Sequence, residues 1–117
     1  MAQADQIAFV MPKTRWHEGS AFNVVAYFRL RSTAAAATPT SIKYRLDCLT
    51  TGMEILDWTT VSAASSATIA VTGAQNVIQN DGNDYEVKQL TVMLDEGLAT
   101  QHRGRATWRV ENLYNSP

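Results

Sequence analysis

The chain reads as all-β, and three observations carry that reading. Apolar residues recur at every second position in segment after segment. Gly, Pro, Ser, Thr, Asn and Asp gather in the breaks between those segments. No stretch carries the 3.6-residue period of a long helix. Six clear strands and a seventh near Gln6 to Met11 are predicted, at fairly even spacing. Short strands spaced in this way, each with one apolar and one polar face, suit an all-β sandwich or a small barrel.

The elements follow in order. AFNVVAYFRL places Phe22, Val24, Ala26, Phe28 and Leu30 on one face, and Asn23, Val25, Tyr27 and Arg29 on the other. RSTAAAATPTS is a loop: Pro39 and the flanking Ser and Thr stop any helical turn its four alanines could begin. SIKYRLDC sets Ile42, Tyr44, Leu46 and Cys48 against Lys43, Arg45 and Asp47. A short turn with Gly52 leads into MEILDWTTV, where simple alternation puts Leu56 and Trp58 inward and Asp57 and Thr59 outward.

SATIAVTG then sets Ala67, Ile69 and Val71 against Ser66, Thr68 and Ala70. TGAQNVIQNDG holds at most a short helical turn around Ala74 to Ile78. YEVKQLTVML sets Leu90, Val92 and Leu94 against Thr91 and Met93. LDEGLATQHRG reverses the chain. GRATWRVENL places Ala106, Trp108 and Val110 opposite Arg105, Thr107, Arg109 and Glu111. Tyr44, Trp58 and Trp108 are thus expected in the core.

The totals narrow the function. The 117 residues are a common single-domain length, enough to bury one core without metals or disulfides. Net charge is −1 with a pI near 6.1, which argues against a nucleic-acid module. No apolar run reaches the length of a membrane span. MAQADQIAFVMPKTR lacks a basic start followed by an apolar stretch, so no signal peptide is expected. The single cysteine, Cys48, cannot form an intramolecular disulfide, which suits folding in a reducing cytoplasm.

Candidate chemistry is sparse. His17 and His102 have no nucleophile or orienting acid in a recognisable pattern, and no Gly-x-Ser-x-Gly elbow or phosphate-binding glycine loop occurs. Cys48 alternates inward with Leu46 and reads as a small core residue. NDGND with Glu86 offers oxygen donors for calcium at Asn80, Asp81, Asn83, Asp84 and Glu86, but the order of an EF-hand loop is absent. Asn and Asp also fill tight turns for backbone reasons. The expectation is no enzyme, no cofactor and no metal. Two places offer surfaces for contact with other proteins. Trp16, in KTRWHEG, is either a plug at the edge of the fold or an interface anchor beside Arg15. Val25 and Tyr27 face outward, and so do Thr91 and Met93. If their strands are neighbours, one sheet has a mildly apolar outer face.

A resemblance adds to this reading. TPTSIKYRLDCLTTGMEILDWTTV, then SATIAVTG, then YEVKQLTVML, then TWRVENL resembles the immunoglobulin-like domains of tailed-bacteriophage structural proteins. In that pattern a Pro-Thr loop enters a strand with an inward Tyr, and a turn leads to a strand ending near Asp-Trp. A Ser/Thr-rich strand and a Glu-bearing strand follow, and the last strand ends in a Val-x-Asn-like sequence. The match covers roughly Ser20 to Leu113. The two-cysteine bridge of antibody domains is absent, as is common in the phage versions.

The resemblance implies a single immunoglobulin-like antiparallel β-sandwich of about seven strands over residues 1–117. Residues 1–15 would be an N-terminal arm and 113–117 a short tail anchored by Tyr114. It implies a virion structural protein, a capsid decoration or a head, neck or tail component, made in the host bacterial cytoplasm. Its partners would be other virion proteins, met in many copies through Arg15, Trp16, Val25, Tyr27 and Tyr114, with no nucleic acid and no membrane. The rivals are a carbohydrate- or receptor-binding module and a small calcium-binding domain.

Overall fold

The computed structural model describes Ala4 and residues 6–80, 82–94 and 102–112. Among them are eight strands and no helix: β1 (Gln6–Val10), β2 (Arg15–His17), β3 (Phe22–Arg29), β4 (Ile42–Cys48), β5 (Glu54–Val61), β6 (Ser66–Val71), β7 (Tyr85–Leu94) and β8 (His102–Glu111). They form a three-stranded sheet, β1-β3-β6, and a five-stranded sheet, β2-β8-β7-β4-β5. Every pairing is antiparallel except that of β2 with β8, which is parallel.

The expected alternation holds on most strands. Phe22, Val24, Ala26 and Phe28 of β3 and Ala67, Ile69 and Val71 of β6 are buried, and so are Leu90, Val92 and Leu94 of β7. These residues join Ile42, Leu46 and Trp108 in one core drawn from both sheets. The period of two suffices wherever the register is unbroken, because directly paired residues share a face. The turn of the Cys48–Met53 hairpin closes with Gly52 N–H donating to Cys48 O, and Gly52 takes a φ of 74°, a conformation open to glycine at little cost.

Four expectations are corrected. The strand expected near Gln6 to Met11 is present as β1, paired with β3 from Gln6↔Arg29 to Val10↔Val25, so it is the arm assigned to residues 1–15 that is corrected. The polar stretch at Arg15–His17 is itself a strand, because β8 offers it a partner edge. Residues 72–76 form a hydrogen-bonded turn without helix.

The fourth correction is Trp58. Tyr44 pairs with Thr59 and Leu46 with Leu56, so Arg45 stands opposite two residues, Asp57 and Trp58. This is a β-bulge, and its extra residue carries Trp58 from the core side to the side of Arg45. Thr59, expected outward, takes the inward place opposite Tyr44. Tyr44 itself is half-buried against the core.

The two sheets approach most closely where β1 meets β8. A Cβ at Gly104 would lie 3.0 Å from Ile7 Cβ and 3.0 Å from Phe9 Cε2. Glycine at this position is what lets β1 settle onto β8.

Candidate interaction surfaces

The two sheets present outer faces of opposite character. On β1-β3-β6 the outer residues are Gln6, Ala8 and Val10, then Asn23, Val25, Tyr27 and Arg29, then Ser66, Thr68 and Ala70. One arginine is the only charge among them. Val10 is 55% exposed and Tyr27 38%. Val25 and Val10 are directly paired, as are Tyr27 and Ala8, so the expected outward pair on β3 gains apolar neighbours from β1.

Thr91 and Met93 do not belong to this patch. They lie on β7, in the other sheet, and both are buried at 5% exposure. Met93 is paired with Lys43 on one side and Arg103 on the other, and Thr91 with Arg45 and Arg105. Long basic side chains that flank an outward residue cover it with their stems.

Those basic residues define the second face. Lys43, Arg45, Arg103 and Arg105 surround Met93 and Thr91, and the bulge brings Trp58 beside them. The Arg45 and Arg103 guanidinium carbons lie 5.6 and 5.9 Å from the centre of the Trp58 ring. Arg45 also makes two hydrogen bonds to Asp47, at 2.8 and 2.7 Å, and stands 3.7 Å from Glu54. The hydrogen bonds from Arg45 to Asp47 raise the pKa of its guanidinium. Simple alternation hid this grouping, because it sends Trp58 to the wrong face.

Arg15 and Trp16 lie together on β2, at the edge of the five-stranded sheet. Trp16 pairs with Val110 and points inward, and its ring stacks on Phe22 at 4.3 Å with 9° between planes. Phe22 in turn meets Trp108 edge-on at 5.2 Å. Trp16 thus ties a strand of one sheet to a strand of the other, which favours the plug over the anchor. Its indole N–H donates to Lys13 O, and Lys13 Nζ lies 4.5 Å above its ring.

Arg15 points outward and donates to Glu111 Oε1 at 2.6 Å. That bond, followed by the charges of Arg15, Arg109 and His17, holds the Glu111 carboxyl below its usual pKa although burial opposes this. Lys13, Arg15, Trp16, His17 and Glu111 line an open cleft of about 230 Å³. His17 and His102 sit at opposite ends of β8, nine residues apart or roughly 30 Å in a strand, so they cannot act together. Arg15 and Trp16 are separated from Val25 and Tyr27, which occupy the other sheet's outer face. Tyr114 lies outside the described residues.

The buried interior holds a second feature with no counterpart in the expectations. Glu86 and Lys88 are both fully buried, 2.8 Å apart from Oε1 to Nζ. They share the inward parity of Leu90, Val92 and Leu94, a signal readable in YEVKQLTVML. Burial alone raises the pKa of Glu86. The Gln79 N–H, Lys88 Nζ, Asn80 N–H and Asn83 Nδ2 outweigh it by donating to the carboxylate, and bring the pKa to about 2. Cys48 Sγ, also buried, lies 3.6 Å from the same carboxylate.

This arrangement bears on the calcium reading. Both Glu86 oxygens meet N–H donors, and Asn80 Oδ1 accepts from Gly82 N–H, so those oxygens serve the turn. Asp81 lies outside the described residues. Among the described residues no three His, Cys, Asp or Glu side chains converge as a metal site would require. Asn76 is buried nearby. It accepts from Trp108 Nε1 at 2.8 Å and donates to Ser20 O at 3.0 Å, which ties the β6–β7 connection to β8 and to the entry of β3.

No family model matches the chain, and no curated protein matches it. Among solved structures, the chain is similar to the adhesin InvE of Yersinia pseudotuberculosis. The TM-score is 0.54 at 14% identity, over 92% of this chain and 32% of the adhesin chain. The chain thus spans about a third of that protein's length. At such identity the likeness is one of fold.

Proposed function

We propose that the chain is an immunoglobulin-like β-sandwich that works through protein–protein contacts as a structural component of a phage virion. The observation that carries the contact reading is the outer face of β1-β3-β6, where Val10, Val25 and Tyr27 are at least partly exposed amid small uncharged neighbours. A flat apolar patch of this kind suits a repeated assembly contact. The strand order supports the immunoglobulin-like topology: the chain changes sheets at every connection except β4 to β5 and β7 to β8, and β8, β7 and β4 form the middle of one sheet while β1, β3 and β6 form the other. The virion setting rests on the sequence resemblance.

Light scattering coupled to size-exclusion chromatography, from micromolar to near-millimolar protein, tests this reading together with co-sedimentation on purified phage particles. Association in either assay that Tyr27→Glu abolishes, with unchanged thermal melting, is the expected result. A strict monomer that never co-sediments would overturn it.

A second reading is a receptor- or carbohydrate-binding module, favoured by Trp58 beside Arg45 and Arg103 on the opposite face. Guanidinium groups beside an aromatic ring can take a carboxylate and a sugar face together. The fold likeness to a bacterial adhesin is compatible with it. A glycan array separates the two readings: retention on acidic glycans, lost in Arg103→Ala, favours the second, and uniform silence favours the first.

A further inference from the structure

We infer that the open edge of β6 is a docking slot for one extended, uncharged segment of a partner polypeptide, which adds to the three-stranded sheet as a fourth strand. Two independent features point there.

The first is the edge itself. β6 pairs with β3 on one side, in an unbroken register from Phe22↔Val71 to Tyr27↔Ser66. Phe28 N–H donates to Ser65 O at 2.9 Å, just before this register starts. Hydrogen bonding alternates along an antiparallel pair, so Ala67, Ile69 and Val71 aim their backbone groups at β3. Ser66, Thr68 and Ala70 therefore present N–H and C=O groups to the other side, where no described strand lies. Proteins blunt such edges with charge, proline, bulges or shortness. SATIAV has six residues, no charge, no proline and no bulge. The other long edge, β5, carries Glu54, Asp57 and two register shifts.

The second feature is the uneven overlap of the sheets. β1 lies on β8, so the three-stranded sheet runs out before the five-stranded one does. Burial of inward residues records this. Leu90, Val92 and Leu94 on β7, and Ile42 and Leu46 on β4, are all 0% exposed. On β5 the inward Leu56, Thr59 and Val61 are only half-buried, as is Tyr44 beside them. The uncovered strip lies on the β6 side, below the place a fourth strand would take. One strand added to β6 would complete a row of backbone hydrogen bonds and cover this strip in the same step. Its downward side chains would be apolar and alternate with polar ones, and no charge in the slot would pair with a charged one.

A second copy of this chain is a poor occupant. Two β6 strands paired about a two-fold axis would bring the overhanging β5 of each copy into the five-stranded sheet of the other. A flexible segment of another polypeptide avoids that collision.

The slot rests on the reading that the chain works by protein contact, and the test separates the two. The probe is an acetylated peptide of alternating threonine and valine, eight residues long, with a lysine at each end for solubility. Backbone amide exchange is followed by NMR on the intact chain. In the free protein, the Ser66, Thr68 and Ala70 amides should exchange fast and those of Ala67, Ile69 and Val71 slowly. The peptide should slow the first set. Thr68→Pro removes only an outward N–H, a change edge strands tolerate. It should weaken peptide binding by roughly tenfold or more, a change of about 1.4 kcal/mol. Thr59→Lys, which puts a charge into the slot, should do the same, and Tyr27→Glu should leave peptide binding unchanged. The inference is overturned by slow exchange at Ser66, Thr68 and Ala70 in the free monomer, by absence of binding at millimolar peptide, or by loss with Tyr27→Glu alone. That last outcome would leave the outer-face reading standing.

Discussion

Lys88 Nζ lies 2.8 Å from Glu86 Oε1, and neither side chain is exposed to solvent. The pair is two residues apart on β7, on the inward face, with Trp108 directly opposite Lys88 on β8. An ion pair in such a place stands because further donors complete the carboxylate. Removing one partner leaves a buried charge without compensation. Lys88→Met should therefore cost about 3–5 kcal/mol in a urea melt. The double change Glu86→Leu with Lys88→Met should recover most of that loss. A loss of under about 1 kcal/mol from Lys88→Met alone would show that the pair is solvated.

The same carboxylate gives the protein an acid-sensitive component of stability. Glu86 has a folded pKa of about 2, below the ordinary carboxyl value of 4.5. A group whose pKa is lowered on folding stabilises the folded state above its unfolded pKa, and this is lost as pH falls through the folded one. Glu86 should thus contribute fully above about pH 4.5 and progressively less down to about pH 2. Urea midpoints measured across that window should fall in the wild type, and fall less steeply in Glu86→Gln.

The three tryptophans should separate in cost. Trp108 is 2% exposed, donates to Asn76 and meets Phe22 edge-on. Trp108→Ala should cost about 3–5 kcal/mol. Trp58 lies on the outer face under two arginines, and Trp58→Ala should cost about 1 kcal/mol or less. Trp16→Ala should fall between them, because it removes a stack that bridges the sheets. Equal losses for Trp58 and Trp108 in urea melts would contradict the bulge.

Gly104→Val should loosen β1 before it unfolds the whole chain. The new side chain would begin 3.0 Å from both Ile7 and Phe9, closer than carbon atoms pack. Overpacking of this kind costs about 1–3 kcal/mol. Amide exchange should accelerate for residues 6–10 more than for β7, and equal acceleration on both strands would refute the local clash.

Much of the fold was legible because a strand writes its faces at every second residue. β3, β6 and the Leu90–Leu94 half of β7 follow their alternation, and their inward residues belong to the core. β5 shows where that reading breaks. A bulge adds one residue without any mark in the local pattern, and every side chain beyond it changes face. Trp58 and Thr59 were misplaced for that reason alone. The Glu86–Lys88 pair had the inward parity of its neighbours, yet charged residues are seldom fully buried without a partner, and the partners at Gln79, Asn80 and Asn83 become evident only once the turn is folded.

By itself, the sequence determined the all-β class, the approximate strand boundaries, the inward sets of β3 and β6, the inward Leu90, Val92 and Leu94 of β7 and the burial of Cys48 and Trp108. These follow from local periodicity and side-chain polarity. Only the tertiary structure decided which strands are neighbours. That choice parted Val25 and Tyr27 from Thr91 and Met93, turned the stretch at Arg15–His17 into a strand against β8, gathered the arginines around Trp58 and left the edge of β6 open. Pairing joins residues far apart in the chain, and a period of two carries no information about which strand will lie alongside.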